Sequence, residues 1–148
     1  MENKIIPKSY VKQYWFIWLS IVTCFLILRF LVFSNSENED IIFTLFNFYA
    51  IPTWICIMIL NFFEGYRLRT YLEENHHKIW EYQTSGPGFG SGGVNSFRTL
   101  PFVYSNDDLS DPMVKELKLN YRRFVRFMLT VFFTLPVLFI SMMLPLGS

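Results

Sequence analysis

Three long apolar segments constrain this chain more than any other feature. Residues 14–33 hold one charge, Arg29, residues 41–63 hold none, and residues 124–146 hold only Arg126. At 1.5 Å per residue a helix of about 20 residues is about 30 Å long, enough to cross the hydrocarbon core of a bilayer. Inside that core no water satisfies the backbone, so each segment must close its own hydrogen bonds as a helix. The expected fold is all-α: a polytopic membrane protein with three transmembrane helices and a cytoplasmic helical hairpin carrying a glycine-rich loop. The expected boundaries are a basic start (1–13), spans at 14–33, 41–63 and 124–146, a short external turn (34–40), a long loop (64–123) and a tail (147–148).

Composition agrees with that frame. The chain is 148 residues long, 52% hydrophobic and 20% aromatic, with seventeen phenylalanines, and only 17% of it is charged. Soluble domains usually carry about 25% charged residues. Both cysteines, Cys24 and Cys56, fall inside apolar segments, which implies no disulfide framework and disfavours reactive thiolates. A basic start before an apolar run also describes a cleaved leader. The first apolar run exceeds the roughly 7–15 residues of a leader core and is dense in aromatics, so an uncleaved signal anchor is expected.

The net charge of +1 hides a segregation that sets orientation. Residues 1–13 carry three basic residues and residues 64–123 carry eight, whereas the external turn SNSENED carries none. Lys and Arg are retained on the cytoplasmic side. The amino terminus and long loop are therefore expected inside, with the acidic turn and carboxyl terminus outside. Tyr14, Trp15, Trp18 and Tyr121 would then lie at the inner interface.

Sixty structureless residues in the loop would be unusual. Leu68, Leu72 and Ile79 fall on one helical face, and Glu74 precedes Lys78 by one turn, so the second span is expected to continue as a helix to about Tyr82. The Gly-Pro-Gly at 86–88 breaks it. Asp111-Pro112 reads as a helix start, with Asp as N-cap and Pro in the first turn, followed by the apolar stripe Val114, Leu117 and Tyr121. Phe97, Leu100 and Tyr104 are placed as a short amphipathic piece along the membrane surface.

The candidate sites each have a plain alternative. Glu73, Glu74, His76 and His77 suggest a metal or acid–base cluster, but the spacings that mark zinc sites are missing, and a solvated helix surface is favoured. Gly88-x-Gly90-x-x-Gly93 matches a dinucleotide fingerprint without its strand and helix flanks, so it reads as a flexible connector, with Phe89 as a contact residue. Arg29 lies near the outer end of its span, where its guanidinium reaches headgroups or the acids Glu37, Glu39 and Asp40. Pro52 and Pro136 fall near mid-membrane, and aligned kinks there would open a cavity. Ser20 and Cys24 on the first span, Asn47 on the second, and Thr130, Thr134 and Ser141 on the third are assigned to helix packing, toward one another or a second copy of the chain. Lys115, Lys118, Arg122, Arg123 and Arg126 are assigned to anionic headgroups. Trp80, Tyr82, Phe89 and Tyr104 are the aromatics suited to a protein interface. No catalytic residues, metal ligands or cofactor are assigned, and no basic module free of the bilayer points to nucleic acid.

One span, a helical extension ending Ile79-Trp80-Glu81-Tyr82, the glycine-rich stretch 86–93, Asn95, Tyr104 and a basic helix over 111–124 entering a last span resemble small bacterial inner-membrane proteins of the universal stress protein B type. The resemblance covers roughly residues 55–145. This chain departs from it by an additional first span and by His77 where the pattern has proline. It implies a bacterial inner-membrane protein tied to envelope stress, and it supplies no catalytic residues.

The leading functional expectation is a non-enzymatic inner-membrane protein whose cytoplasmic loop binds a protein partner. The alternative is an immunity protein that neutralises a secreted, membrane-active toxin by helix packing within the bilayer. The orientation is open to direct measurement. In a chain lacking Cys24 and Cys56, Ser36→Cys should label from outside intact cells and Ser91→Cys should not; the reverse pattern would invert the topology.

Overall fold

The computed structural model describes residues 9–32, 39–86 and 95–143, and these are all helical or helix-connecting. Five helices follow in order: α1 (Val11–Ile27), α2 (Glu39–Asn75), α3 (His77–Thr84), α4 (Ser96–Tyr104) and α5 (Pro112–Met143). A π turn, Leu28–Val32, extends α1 and carries the buried Arg29. Three of the helices are long and apolar enough to cross a membrane. With 37 residues, α2 is about 55 Å long, well beyond a hydrocarbon core of about 30 Å. Its charge-free apolar run ends at Phe63, and the apolar run of α5 begins at Phe124.

The chain divides into two compact units, and α2 and α5 contribute to both. The bundle unit comprises Tyr10–Leu60 and α5 from Arg126 onward. Its core is Phe25, Ile42, Tyr49, Leu135 and Leu138. Phe25 stacks on Tyr49 with ring centroids 4.7 Å apart, and the Trp18 indole N–H donates to the Tyr49 hydroxyl at 3.2 Å. Trp15 and Trp18 both meet the Phe127 ring edge-on. The buried positions recur every seven residues on α1 (Val11, Trp18 and Phe25) and α2 (Ile42 and Tyr49), and every three or four on α5 (Phe127, Val131, Leu135 and Leu138). These positions are the packed seam of the bundle.

Among the small residues, Ser20, Cys24 and Thr130 are exposed, and Thr134 and Ser141 are half-buried. Four of these five turn their polar groups back onto their own helix: Ser20 donates to the Phe16 carbonyl, Thr130 to Arg126, Thr134 to Thr130, and Ser141 to Leu138. Asn47 likewise donates to Phe43 at 3.0 Å rather than to a neighbouring helix. In hydrocarbon this is the nearest available acceptor, so a hydroxyl on a lipid-facing turn needs no partner helix. The large apolar side chains, not the small ones, close the bundle. Of the two mid-membrane prolines, Pro52 lines an apolar cavity of about 410 Å³ beside Trp18, Phe48, Tyr49, Cys56 and Phe127, and Pro136 does not.

The loop unit, Asn61–Val125, packs α3, α4 and the outer parts of α2 and α5 around Leu68, Leu72, Val103, Met113, Val114 and Leu117. The stripes read on α2 and α5 are therefore its core. The helix after Phe63 does not run unbroken to Tyr82: it stops at Asn75, His76 leaves helical geometry at φ −139° and ψ 53°, and α3 restarts at His77. Glu74 and Lys78 thus fall on different helices, and their expected pairing along one helix is lost.

The packed seam predicts how the bundle responds to mutation. Leu135→Ala should cost about 2–4 kcal/mol by leaving a cavity, read as a lower unfolding temperature in detergent. Thr130→Leu should change that temperature little, because Thr130 is exposed and its hydroxyl bonds only its own helix; the opposite ranking would reassign the seam.

Candidate functional site: a clamped helix and an aspartate node

The polar chemistry of the loop unit concentrates where α4 and the α2–α3 joint meet α5. Its first part is a clamp on the carboxyl end of α4. The last carbonyls of a helix have no intrahelical donor and carry the negative end of its dipole. Lys118 Nζ donates to the carbonyls of Ser105 at 3.0 Å and Asp107 at 2.8 Å, and to the Ser105 hydroxyl at 3.1 Å. It also lies 3.5 Å from the Asp108 carboxylate. Arg122 Nε donates to the Val103 carbonyl, and its Nη2 to that of Ser105 at 2.7 Å. The Lys118 ammonium further sits 4.3 Å from the Phe102 ring centroid, a cation–π contact. Lys118 is 0% exposed. Burial pulls its pKa below the usual lysine value, and Asp108 opposes that shift.

The second part is the Asp111 carboxylate. Its Oδ1 accepts from the Met113 amide at 2.8 Å, capping α5 as the sequence suggested. Its Oδ2 accepts from the Tyr71 hydroxyl at 2.8 Å and meets His76 Nε2 at the same distance. One carboxylate thereby holds the start of α5, the last turn of α2 and the residue at which α2 breaks. Burial works to raise the Asp111 carboxyl, but the hydrogen bonds from His76, Tyr71 and the Met113 and Val114 amides outweigh it and leave it below the usual carboxylate range. Burial, and then the adjacent carboxylate, push the Tyr71 phenol up to about 12. Just before the node, Leu109 and Ser110 both take φ of +55°. Two successive non-glycine residues in the left-handed region cost about 1–2 kcal/mol each, and the Asp107 carboxylate accepting from the Leu109 amide helps hold them there.

The assigned aromatics separate on this scaffold. Trp80 is half-buried, packs against the loop-unit core and stacks on His77 at 5.0 Å, so its first role is structural. Tyr82 is 62% exposed. The Arg98 guanidinium lies 4.9 Å from the Tyr82 ring centroid and donates to the Tyr82 carbonyl at 3.0 Å and the Ser85 hydroxyl at 2.7 Å. Asn95 Nδ2 donates to the Ser85 carbonyl at 2.9 Å, so the end of α3 and the start of α4 are tied across the glycine-rich stretch. Tyr104 is exposed on α4, with the Arg122 guanidinium 5.8 Å from its ring. Phe89 and Glu37 lie outside the described residues, as does the side chain of Glu39.

The basic helix also divides. Lys115, Arg123 and Arg126 are exposed and remain available to headgroups, whereas Lys118 and Arg122 turn inward to the α4 carbonyls. That inward turn had a signal: Lys118 stands one turn beyond Val114, at the edge of the apolar stripe. His76 had none, because its partner is 35 residues away. The histidine pair is not one surface: His76 enters the node, and His77 stays exposed beneath Trp80. Among the described residues, no three His, Cys, Asp or Glu side chains converge as metal ligands.

Asp111→Ala should cost about 2–4 kcal/mol, combining a lost cap with two polar partners left unsatisfied, and Asp111→Asn should cost less. Linkage fixes the pH dependence. A carboxyl lowered on folding stabilises fully above the ordinary carboxylate range and loses that contribution as pH falls through its folded value. A phenol raised from 10.0 to about 12 stabilises fully below pH 10 and loses its contribution as pH rises between those values. Thermal unfolding in detergent should therefore show an alkaline loss that Tyr71→Phe removes.

No protein-family model, curated protein or solved structure matches the chain, so the reading of its function rests on this geometry.

Proposed function

We propose that this is a non-enzymatic, multi-span protein of the bacterial inner membrane whose loop unit faces the cytoplasm and binds a protein partner through the exposed side of α3. The observation that carries the reading is the Tyr82–Arg98 pair. An exposed tyrosine braced by a guanidinium that is itself fixed by two hydrogen bonds loses little side-chain freedom on binding, and tyrosine and arginine dominate interface anchors. His77, stacked on Trp80, supplies a second rigid ring on the same short helix. The basic bias of residues 64–123 supports the cytoplasmic side. The likeness in motif order to universal stress protein B-type proteins supports a place in envelope stress adaptation.

A second reading has its own observation. Thr130 is exposed and Thr134 half-buried, and each hydroxyl bonds its own helix, so this small-residue face offers close approach to a foreign helix, as an immunity protein against a membrane-active toxin requires. The two readings part on mutation. Under the first, Tyr82→Ala and Arg98→Ala each lower capture of the partner from native membranes at least about tenfold, the loss of a typical anchor, with membrane level unchanged and Tyr82→Phe largely retained. Protection that survives both changes but fails in Thr130→Leu or Thr134→Leu would overturn it in favour of the second.

A further inference from the structure

α4 is apolar on two sides. Its inward side buries Val103 and half-buries Phe102 against the loop-unit core. Its outward side presents Phe97, Leu100, Pro101 and Tyr104, all exposed and none charged, and Phe97 is 94% exposed. At about 100° per residue these four fall within one face of the helix. The charged residue of α4, Arg98, is drawn away from that face toward Tyr82 and Ser85. An exposed apolar face opposite the one that meets the core needs a second apolar surface, and its surroundings indicate which one.

Two features of the same unit point to a bilayer. The clamp fixes the level of α4 on α5: Arg122, which holds the Val103 and Ser105 carbonyls, stands two residues, about 3 Å of helix rise, before the apolar segment that begins at Phe124. On α2 the corresponding level is marked by Phe62, Phe63 and Tyr66, all exposed, with the Arg69 guanidinium 5.9 Å from the Phe62 ring. Charge is also sorted along both helices. Nearest the apolar segments lie Arg67 and Arg69 on α2 and Arg122, Arg123 and Arg126 on α5. The acids Glu73, Glu74, Asp111 and Glu116 lie farther from those segments, and Glu64, the exception, is buried and paired with Arg67 at 3.4 Å. The end of the unit where the chain becomes apolar is thus positive, which complements anionic headgroups.

We infer that α4 is a membrane-surface foot: its Phe97, Leu100, Pro101 and Tyr104 face rests in the headgroup–acyl boundary of an anionic bilayer, held at that depth by the Lys118 and Arg122 clamp. Aromatic and leucine side chains settle about 5–10 Å deep in that boundary when cations lie beside them. The foot is separate from the α3 surface, so the loop unit touches lipid through one short helix and leaves the other for a protein.

The test uses the full chain in nanodiscs, with Cys24→Ala and Cys56→Ala, single cysteines at Phe97→Cys, Leu100→Cys or Lys78→Cys, and an environment-sensitive fluorophore on each. Lipids bearing a nitroxide high on the acyl chain should quench the labels at positions 97 and 100 several-fold more than the label at 78 on α3. Replacing phosphatidylglycerol by phosphatidylcholine should reduce that difference. Labels at 97 and 100 quenched by iodide and not by lipid would place the face in water and overturn the inference. Protection from both quenchers would overturn it in favour of a second copy of the chain or another protein. Equal lipid quenching in both bilayers would overturn the assignment to anionic lipid.

Discussion

A buried ammonium must find oxygen, and in this protein the oxygens come from the turn that follows a helix nine residues long. Lys118 and Arg122 project from α5 and take up the carbonyls of Val103 in the last turn of α4 and of Ser105 and Asp107 just beyond it. Each side of the contact solves the other's problem. An unpaired buried cation costs several kcal/mol, and an unsatisfied carbonyl costs about 1–3 kcal/mol. A nine-residue helix is also too short to persist alone in water. Because the clamp exists, Val103 reaches the core between α2 and α5, and the tyrosine at the end of α4 lies over Arg122.

The Asp111 node does for the other side of the unit what the clamp does for α4. A carboxylate that already caps α5 also receives Tyr71 and His76, so the break in α2 becomes a fixed corner and not a frayed end. The corner redirects α3 and brings its end to Asn95 and Arg98 at the start of α4. Braced Tyr82 is the outcome of this sequence of contacts: node, corner, tie, then an aromatic ring held in solvent. Weakening the node should loosen Tyr82 although the two lie on different elements.

The bundle unit follows a different physics. Lipid tails are as apolar as leucine, so burial alone gives little reason for its helices to associate, and packing and polar contacts decide. The large rings supply that packing: Phe25 on Tyr49, and Trp15 and Trp18 against Phe127. The Trp18–Tyr49 hydrogen bond fixes the register of α1 on α2. Hydroxyls of the small residues meanwhile return to their own carbonyls, which removes the drive for them to seek another helix.

Local pattern was enough for the helical class, the three apolar helices, the start of α5 at Asp111-Pro112 and the apolar stripes of Leu68, Leu72, Val114 and Leu117. These rest on local periodicity, on capping chemistry and on the rule that backbone in lipid must bond within its own segment. Which face of each span packs was not legible, because segments that are apolar on every side show no contrast; only the packed structure exposed the seam of large side chains around Phe25, Tyr49, Leu135 and Leu138. Tertiary structure alone also decided the corner at His76, the inward turn of Lys118 and Arg122, and the bracing of Tyr82. Each of these joins residues between 11 and 40 positions apart, and no local pattern carries the information that a tyrosine on one helix and the histidine at its break will share an aspartate that begins another.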